Sequence, residues 1–189
     1  MQGSGIFSLD DIKRYQIKYR PTGLIIDTNV LLLFLVGKYK PEYIKECGLL
    51  HNSDKSYSLE DFRLLENIVS HFRKIIVTPQ VIAEISKHSA DIRKGIGDEK
   101  FSHYLKSLIK FFGIAEERYQ EAFCLWGMEI HILANFGFTD MTLLELAKRD
   151  QLPILTDDRR FYAHTYNEKV AVIKFEYIKN YHLQKIFTN

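Results

Sequence analysis

The chain has few cysteines and no long apolar run, the features that mark disulfide-rich secreted proteins, many zinc-binding proteins and membrane proteins. Its 189 residues include only two cysteines, Cys47 and Cys124, which lie far apart and form no CxxC motif. This spacing argues against a zinc-ligand pattern and a secreted disulfide framework, and it favours a reducing cytosol. The longest apolar run, residues 30–36, is far too short to span a bilayer, and the first residues lack the basic and apolar regions of an export signal. We therefore expect a cytoplasmic protein without a membrane anchor.

An excess of charge of one sign is also lacking, since the formal net charge is only +2. Such a balance permits a polyanionic partner without indicating one. Hydrophobic residues make up 46% and charged residues 26% of the chain, proportions typical of a folded globular protein. The length suits one domain. We expect an N-terminal appendage over residues 1–22, followed by a single domain over residues 23–189.

Short apolar runs alternate with helical patterns along this domain. Longer helical stretches stand at about residues 37–74 and 86–138. Strands that alternate with helices indicate a parallel sheet covered on both faces. The sequence therefore predicts a three-layer α/β/α domain with a central parallel sheet of about four to five strands. The runs that predict buried strands are residues 24–26, 75–78, 152–156 and 170–173.

Acidic residues follow these strands or lie in the helices that come next. Asp27 directly follows the first strand, and Asp157 and Asp158 directly follow the third. Glu84 lies in the helix after the second strand, and Asp140 opens the helix that leads into the third. The carboxyl ends of parallel strands share one edge of a sheet, where ligands usually bind. We therefore expect these acids to converge there.

Each acid taken alone also has a structural interpretation. Asp27 and Asp140 are common helix caps, and Asp157 or Asp158 suits a turn. Glu84 is less easily explained in this way, because it stands on a largely apolar stretch of helix and needs a partner or an exit to solvent. The joint pattern favours a functional site more than any single residue does.

A cluster of carboxylates needs a compensating cation, because like charges at close range repel and raise each other's pKa. Without histidine or cysteine, such a cluster suits Mg²⁺ or Mn²⁺, which prefer oxygen ligands and also bind phosphate oxygens. The bound cation lowers the pKa of a water and neutralises charge that develops on a phosphodiester. The sequence thus predicts metal-dependent phosphodiester hydrolysis.

Four motifs, in order along the chain, resemble those of the PIN-domain family. Residues 24–32 resemble its opening motif, an Asp at the end of the first strand followed by Ser or Thr and usually Asn. Residues 77–85 resemble the second motif, and residues 138–147 resemble the third. Residues 154–161 resemble the fourth, in which a Thr at the strand end precedes an Asp two residues later. The resemblance spans about residues 23–175.

The resemblance implies roles for the acids and for the whole protein. Asp27, Glu84 and Asp140 would be catalytic, metal-binding residues, with Asp158 as the better-aligned fourth acid and Asp157 as its rival. The usual activity of the family is magnesium- or manganese-dependent endoribonuclease cleavage of RNA. Many small bacterial and archaeal members are toxins silenced by a co-expressed antitoxin, so an antitoxin protein is a further expected class of partner.

Other residues receive supporting roles. Asn29 and Thr156 would orient the carboxylates or their waters. Arg159 and Arg160 are the first candidates among the surface cations for contacts with RNA, although a solvated surface charge is the commoner role of such residues. The aromatic residues around Trp126 follow helical spacing, which favours a place in the core over base stacking.

Several alternatives have different chemistry. A haloacid-dehalogenase-like phosphatase needs a second Asp where this chain has Asn29, and a response-regulator receiver needs adjacent acids at the first strand. A catalytically silent PIN-like module that binds RNA or protein, including a second copy of itself, stays open. The toxin role is open as well, because the stretches at 37–74 and 86–138 are longer than in the compact toxins.

Overall fold

The computed structural model describes residues 9–51 and 56–180. They form an α/β fold around a five-stranded sheet. The strands are β1 Leu24–Ile26, β2 Ile75–Val77, β3 Glu116–Glu117, β4 Ile154–Thr156 and β5 Val172–Lys174. The α-helices are α1 Leu9–Tyr19, α2 Thr28–Tyr39, α3 Tyr43–Glu46, α4 Leu59–Ser70, α5 Pro79–Ile96, α6 Asp98–Phe112, α7 Ile130–Asp150 and α8 Arg159–Asn167. Short 3₁₀ helices span Gly48–Leu50 and Ala122–Leu125, and residues 175–180 are helical.

The strand order is β3-β2-β1-β4-β5, and every neighbouring pair is parallel. Ile25 of β1 pairs with Ile76 on one side and with Ile154 on the other. The chain therefore extends the sheet to one side through β2 and β3, and then returns to place β4 against the other side of β1. Such a reversal leaves a crevice at the carboxyl ends of β1 and β4, which is the usual ligand site of an open α/β sheet.

Burial explains why the central elements form where they do. The strands β1 and β4 are wholly buried, and both consist almost entirely of branched aliphatic residues. The helix α2 has apolar residues on all its sides and is buried from Val30 to Gly37, as expected of a helix without a polar face. It packs against α4, α5 and α6. The helices pack around the sheet, and the predicted three-layer α/β/α fold is confirmed.

The strand β3, at one edge of the sheet, was not predicted from the sequence. Its two residues are Glu116 and Glu117, so no apolar run marks it. The strand pairs with Ile76 and Val77 of β2, and Glu116 forms ion pairs with Lys74 and Arg118. An edge strand is exposed along one side, and charged residues there are common because they discourage pairing with other chains.

Both of the longer stretches with a helical sequence pattern contain helices. The stretch at 37–74 contains α3, a 3₁₀ helix and α4, although residues 52–55 lie outside the described part. The stretch at 86–138 contains most of α5, all of α6 and the first part of α7. Of the N-terminal appendage, residues 1–8 lie outside the described part, and the remainder contains the helix α1. None of the helices described is both long and apolar enough to cross a membrane.

Candidate active site at the carboxyl ends of β1 and β4

Four of the acids singled out in the sequence line a single cleft of about 260 Å³. They are Asp27, Glu84, Asp140 and Asp158, and they come from four separate segments of the chain. The cleft lies where β1 and β4 end, at the reversal of the strand order. The expected convergence of these four side chains is observed, while their role as metal ligands stays a prediction.

Asp27 is held by the start of α2 and by β4. Its side chain is only 3% exposed and caps α2, with Oδ1 accepting the backbone N–H of Asn29 at 2.6 Å. Its Oδ2 accepts a hydrogen bond from the Thr156 hydroxyl at the end of β4. The backbone N–H of Asp27 donates to the Leu155 carbonyl at 3.0 Å. These contacts fix the orientation of the carboxylate.

Thr156 joins Asp27 to a second acid of the cleft. Its buried hydroxyl donates to Asp27 and accepts the backbone N–H of Asp158 at 3.0 Å. Asp158 in turn caps α8, because its Oδ1 accepts the N–H of Phe161 at 2.8 Å. Thr156 thus links two acids of the cleft by hydrogen bonds, while its role in orienting metal ligands stays a prediction. Asn29 lines the cleft, but its hydrogen bond to Asp27 comes from the backbone.

Glu84 is held by two threonine hydroxyls. Thr28, the first residue of α2, donates to Oε2 at 2.6 Å, and Thr139 of α7 donates to Oε1 at 2.7 Å. This arrangement explains a glutamate on a largely apolar stretch of α5, because its carboxylate leaves the helix into the cleft. No sequence pattern predicted that either threonine contacts Glu84, although each directly neighbours an acid of the cleft, Asp27 or Asp140.

A break in α7 places Asp140 at the cleft. Gly137 has φ 82° and ψ 173° inside this helix, a conformation that residues with a side chain rarely adopt. The helical turn that carries Asp140 therefore begins just after Gly137. Just before Asp140, the Thr139 hydroxyl donates to Glu84.

Asp157, the rival of Asp158, does not line the cleft. Its buried carboxylate accepts the Tyr57 hydroxyl at 2.8 Å and the backbone N–H of Glu176 at 2.9 Å. Burial and the adjacent Asp157 charge raise the pKa of the Tyr57 phenol far above its ordinary value, so Tyr57 remains a donor. Asp157 thus ties two distant segments to the end of β4, and we leave it out of the candidate metal site.

Arg159 and Arg160 lie beside the acid cleft rather than in it. They line an adjoining pocket of about 690 Å³, which shares Asp158 with the cleft. The Arg159 side chain is 83% exposed and forms one long ion pair, 3.7 Å, with Glu176. The basic residues that line the cleft are Lys87 and His88.

The aromatic residues around Trp126 are not in the core, which corrects the sequence-based expectation. Trp126 is 82% exposed and Phe123 is 73% exposed, and their rings stack with centroids 5.9 Å apart. Tyr119 is exposed as well, whereas Phe111 and Phe112 are partly buried. The expectation failed because it assumed continuous helical spacing. Between α6 and α7 the chain forms β3, a loop and a 3₁₀ helix instead.

The donor set of the cleft fits a hydrated Mg²⁺ or Mn²⁺. Within residues 9–51 and 56–180, no group of three or more His, Cys, Asp or Glu side chains has the spacing to hold a metal ion directly. Mg²⁺ usually keeps several waters and takes only one or two carboxylates directly. The acids lining the cleft offer only oxygen donors, and they are steadied by hydroxyls and backbone N–H groups. Such a set of donors suits a cation that one or two of the acids contact directly and the other acids contact through water.

The structure thus defines an α/β protein with an acidic cleft at the reversal of its strand order. The sequence matches no family model and no curated protein. The resemblance to PIN domains therefore stays a prediction from the four motifs.

Proposed function

We propose that the protein is a PIN-like, magnesium- or manganese-dependent endoribonuclease that hydrolyses RNA phosphodiester bonds in this cleft. One observation carries the proposal, namely that Asp27, Glu84, Asp140 and Asp158 reach a single cleft from four chain segments. Separate roles in helix caps and turns do not require four negatively charged side chains to lie in one cleft. A divalent cation gives a reason for this arrangement, because it offsets their repulsion.

The residues that line the cleft or border it have different roles in the proposed reaction. Asp27, Asp158, Asp140 and Glu84 would hold the cation, which when bound supplies an activated water and neutralises charge on the phosphate. Thr156 keeps Asp27 and Asp158 in fixed relation through its hydroxyl. In the same cleft, Lys87 and His88 offer positive or hydrogen-bonding groups to a phosphodiester backbone.

RNA as the substrate is supported by the order of the PIN-like motifs along a parallel α/β fold. The same likeness extends the proposal to a toxin or defence nuclease restrained by an antitoxin protein. Arg159 and Arg160, in the pocket that adjoins the cleft at Asp158, are proposed to contact the RNA strand as it leaves the cleft.

The proposal is tested by incubating the purified protein with single-stranded and structured RNA in the presence of Mg²⁺, Mn²⁺ or Ca²⁺. We expect internal cleavage with Mg²⁺ or Mn²⁺, and no cleavage once the cation is chelated. RNA that is bound but stays intact with all these cations would support a silent binding module instead.

Replacing Thr139 with Val is expected to slow RNA cleavage by about 10–100-fold, which is the usual cost of losing a group that orients a metal-site acid. Valine keeps the shape of the side chain but removes the hydrogen bond to Glu84 Oε1. Thr142→Val is the matched control, because the Thr142 hydroxyl lies in the same helix, is buried and donates to the Thr139 carbonyl. Equal rates for the two variants would remove Thr139 from the positioning of Glu84.

A further inference from the structure

A second cavity, of about 200 Å³, lies between the C-terminal halves of α2 and α5 and is closed by α3 and α6. None of its lining residues lines the acid cleft. The walls combine three tyrosines with aliphatic side chains, and two carboxylates, Glu46 and Asp91, also border it. No lysine, arginine or histidine of the described chain lines it. The cavity is therefore aromatic and acidic.

The three tyrosines form a packed group of rings. Tyr39 lies 5.8 Å from Tyr43 and 5.6 Å from Tyr104, measured between ring centroids. Aromatic faces attract cations through the ring quadrupole. Two lysines show this preference on the outside of the group, since the ammonium nitrogens of Lys40 and Lys100 lie 5.0 and 5.8 Å from the Tyr43 ring centroid.

Tyr104 brings a polar atom to the cavity that the described protein does not satisfy. Its side chain is 1% exposed, and its hydroxyl has no hydrogen-bond partner among the described residues. The neighbouring Ser89 hydroxyl donates to the Ile85 carbonyl at 2.8 Å and lies outside hydrogen-bond geometry with Tyr104, although it partly offsets the rise in the Tyr104 pKa that burial causes. Burying a hydroxyl without a partner is costly, so a ligand that donates to this oxygen would gain free energy.

Only one of the two carboxylates at the cavity forms an ion pair among the described residues. Asp91 pairs with the exposed Lys94 at 2.7 Å, whereas Glu46 forms no ion pair within the described residues. Burial raises the pKa of the Cys47 thiol, which also lines the cavity, so Cys47 stays neutral near pH 7. The groups therefore match a ligand that is positively charged at one end and apolar at the other.

We propose that this cavity binds a small primary ammonium compound with a single aromatic ring or a short apolar body. The ammonium group donates to the Tyr104 hydroxyl oxygen and faces Glu46, while the apolar body packs against the Tyr39 ring. A cavity of about 150 Å³ is known to hold benzene, so a volume of about 200 Å³ admits a ring with one added aminomethyl group. This site is independent of the nuclease proposal.

The first test uses benzylamine as the probe and Cys47 as the reporter. In a Cys124→Ser background Cys47 is the only thiol, and its rate of alkylation by iodoacetamide is measured against benzylamine concentration. We expect saturable protection, with the neutral analogue benzyl alcohol binding about tenfold more weakly because it lacks the charge. Methyl resonances of Ile92 and Ile96, which also line the cavity, should shift over the same concentration range. Equal protection by both compounds, or neither protection nor shifts, would overturn the proposal.

Two variants locate the binding groups. Glu46→Gln and Tyr104→Phe should each weaken benzylamine binding several-fold, while Glu42→Gln, an exposed acid outside the cavity, should leave it unchanged. Tyr104→Phe should melt at or above the temperature of the parent protein, since it removes a hydroxyl without a partner. A lower melting temperature for Tyr104→Phe, or benzylamine binding that survives both substitutions, would contradict the proposed contacts.

Discussion

Replacing Asp27 with Asn is expected to reduce metal-dependent RNA cleavage by more than about 100-fold, beyond the loss usual for an orienting group. Asn is nearly isosteric with Asp and is about equally good as a helix N-cap. It therefore still accepts the Asn29 N–H at the start of α2. What it removes is a formal negative charge from the cleft, on which affinity for a divalent cation depends.

The folding cost of this substitution should be small. In Asn the side-chain NH₂ takes the place of Oδ2 and cannot accept a hydrogen bond from the Thr156 hydroxyl. We therefore expect the free energy of unfolding to fall by about 1 kcal/mol, which is typical of one hydrogen bond. Thermal melts with and without Mg²⁺ should show that the cation stabilises the wild type more than the mutant. Asp98→Asn, at an exposed acid of α6 that pairs with Arg93, is the control for the loss of a negative charge outside the cleft. A mutant that melts normally and cleaves at the wild-type rate would remove Asp27 from the mechanism.

Replacing Asp158 and Asp157 separately with Asn is expected to give opposite results. Asp158→Asn should keep the cap of α8, because Asn accepts the Phe161 N–H as well as Asp does. The same change removes one of the carboxylates that line the cleft. We expect a cleavage rate reduced by about 100-fold or more and an almost unchanged melting temperature.

Asp157→Asn should instead affect stability. The Asp157 carboxylate accepts from Tyr57 and from the Glu176 N–H, and an amide places a donor against one of these donors. The expected loss is about 1–3 kcal/mol, the cost of a buried polar group without a partner. Below the melting transition, cleavage by the folded protein should continue. If Asp157→Asn abolished cleavage while Asp158→Asn did not, Asp157 would be the functional acid.

The elements that position the cleft were predictable because they depend on local sequence. The runs before Asp27 and Asp157 are short, apolar and rich in branched residues, so they predict buried strands. Parallel strands bring their carboxyl ends to one edge, so the approach of Asp27 and Asp158 follows from the fold class alone. Glu84 was recognisable because an acid on an apolar stretch of helix needs a partner.

Other features of the site depend on tertiary contacts that no local pattern contains. Thr28 and Thr139 are 111 positions apart in the sequence. Folding brings both hydroxyls to the Glu84 carboxylate, to which each donates a hydrogen bond. The fourth motif favours Asp158 over Asp157, but only the backbone direction after β4 shows which of the two faces the cleft. The exposure of Trp126 was missed because Gly113 ends α6 and the helical register is lost. The two-residue strand β3 has no apolar signal at all.

The most direct measurement is Mn²⁺ binding, followed by electron paramagnetic resonance of the free ion, for the wild type and for the Asp27→Asn, Asp158→Asn double variant. We expect saturable Mn²⁺ binding by the wild type that Mg²⁺ displaces, and binding at least about tenfold weaker in the double variant, because two charges have left the cleft. Both proteins should retain the same helical content. Wild-type protein that binds no Mn²⁺, or a folded double variant that binds it equally well, would contradict a metal site at the ends of β1 and β4.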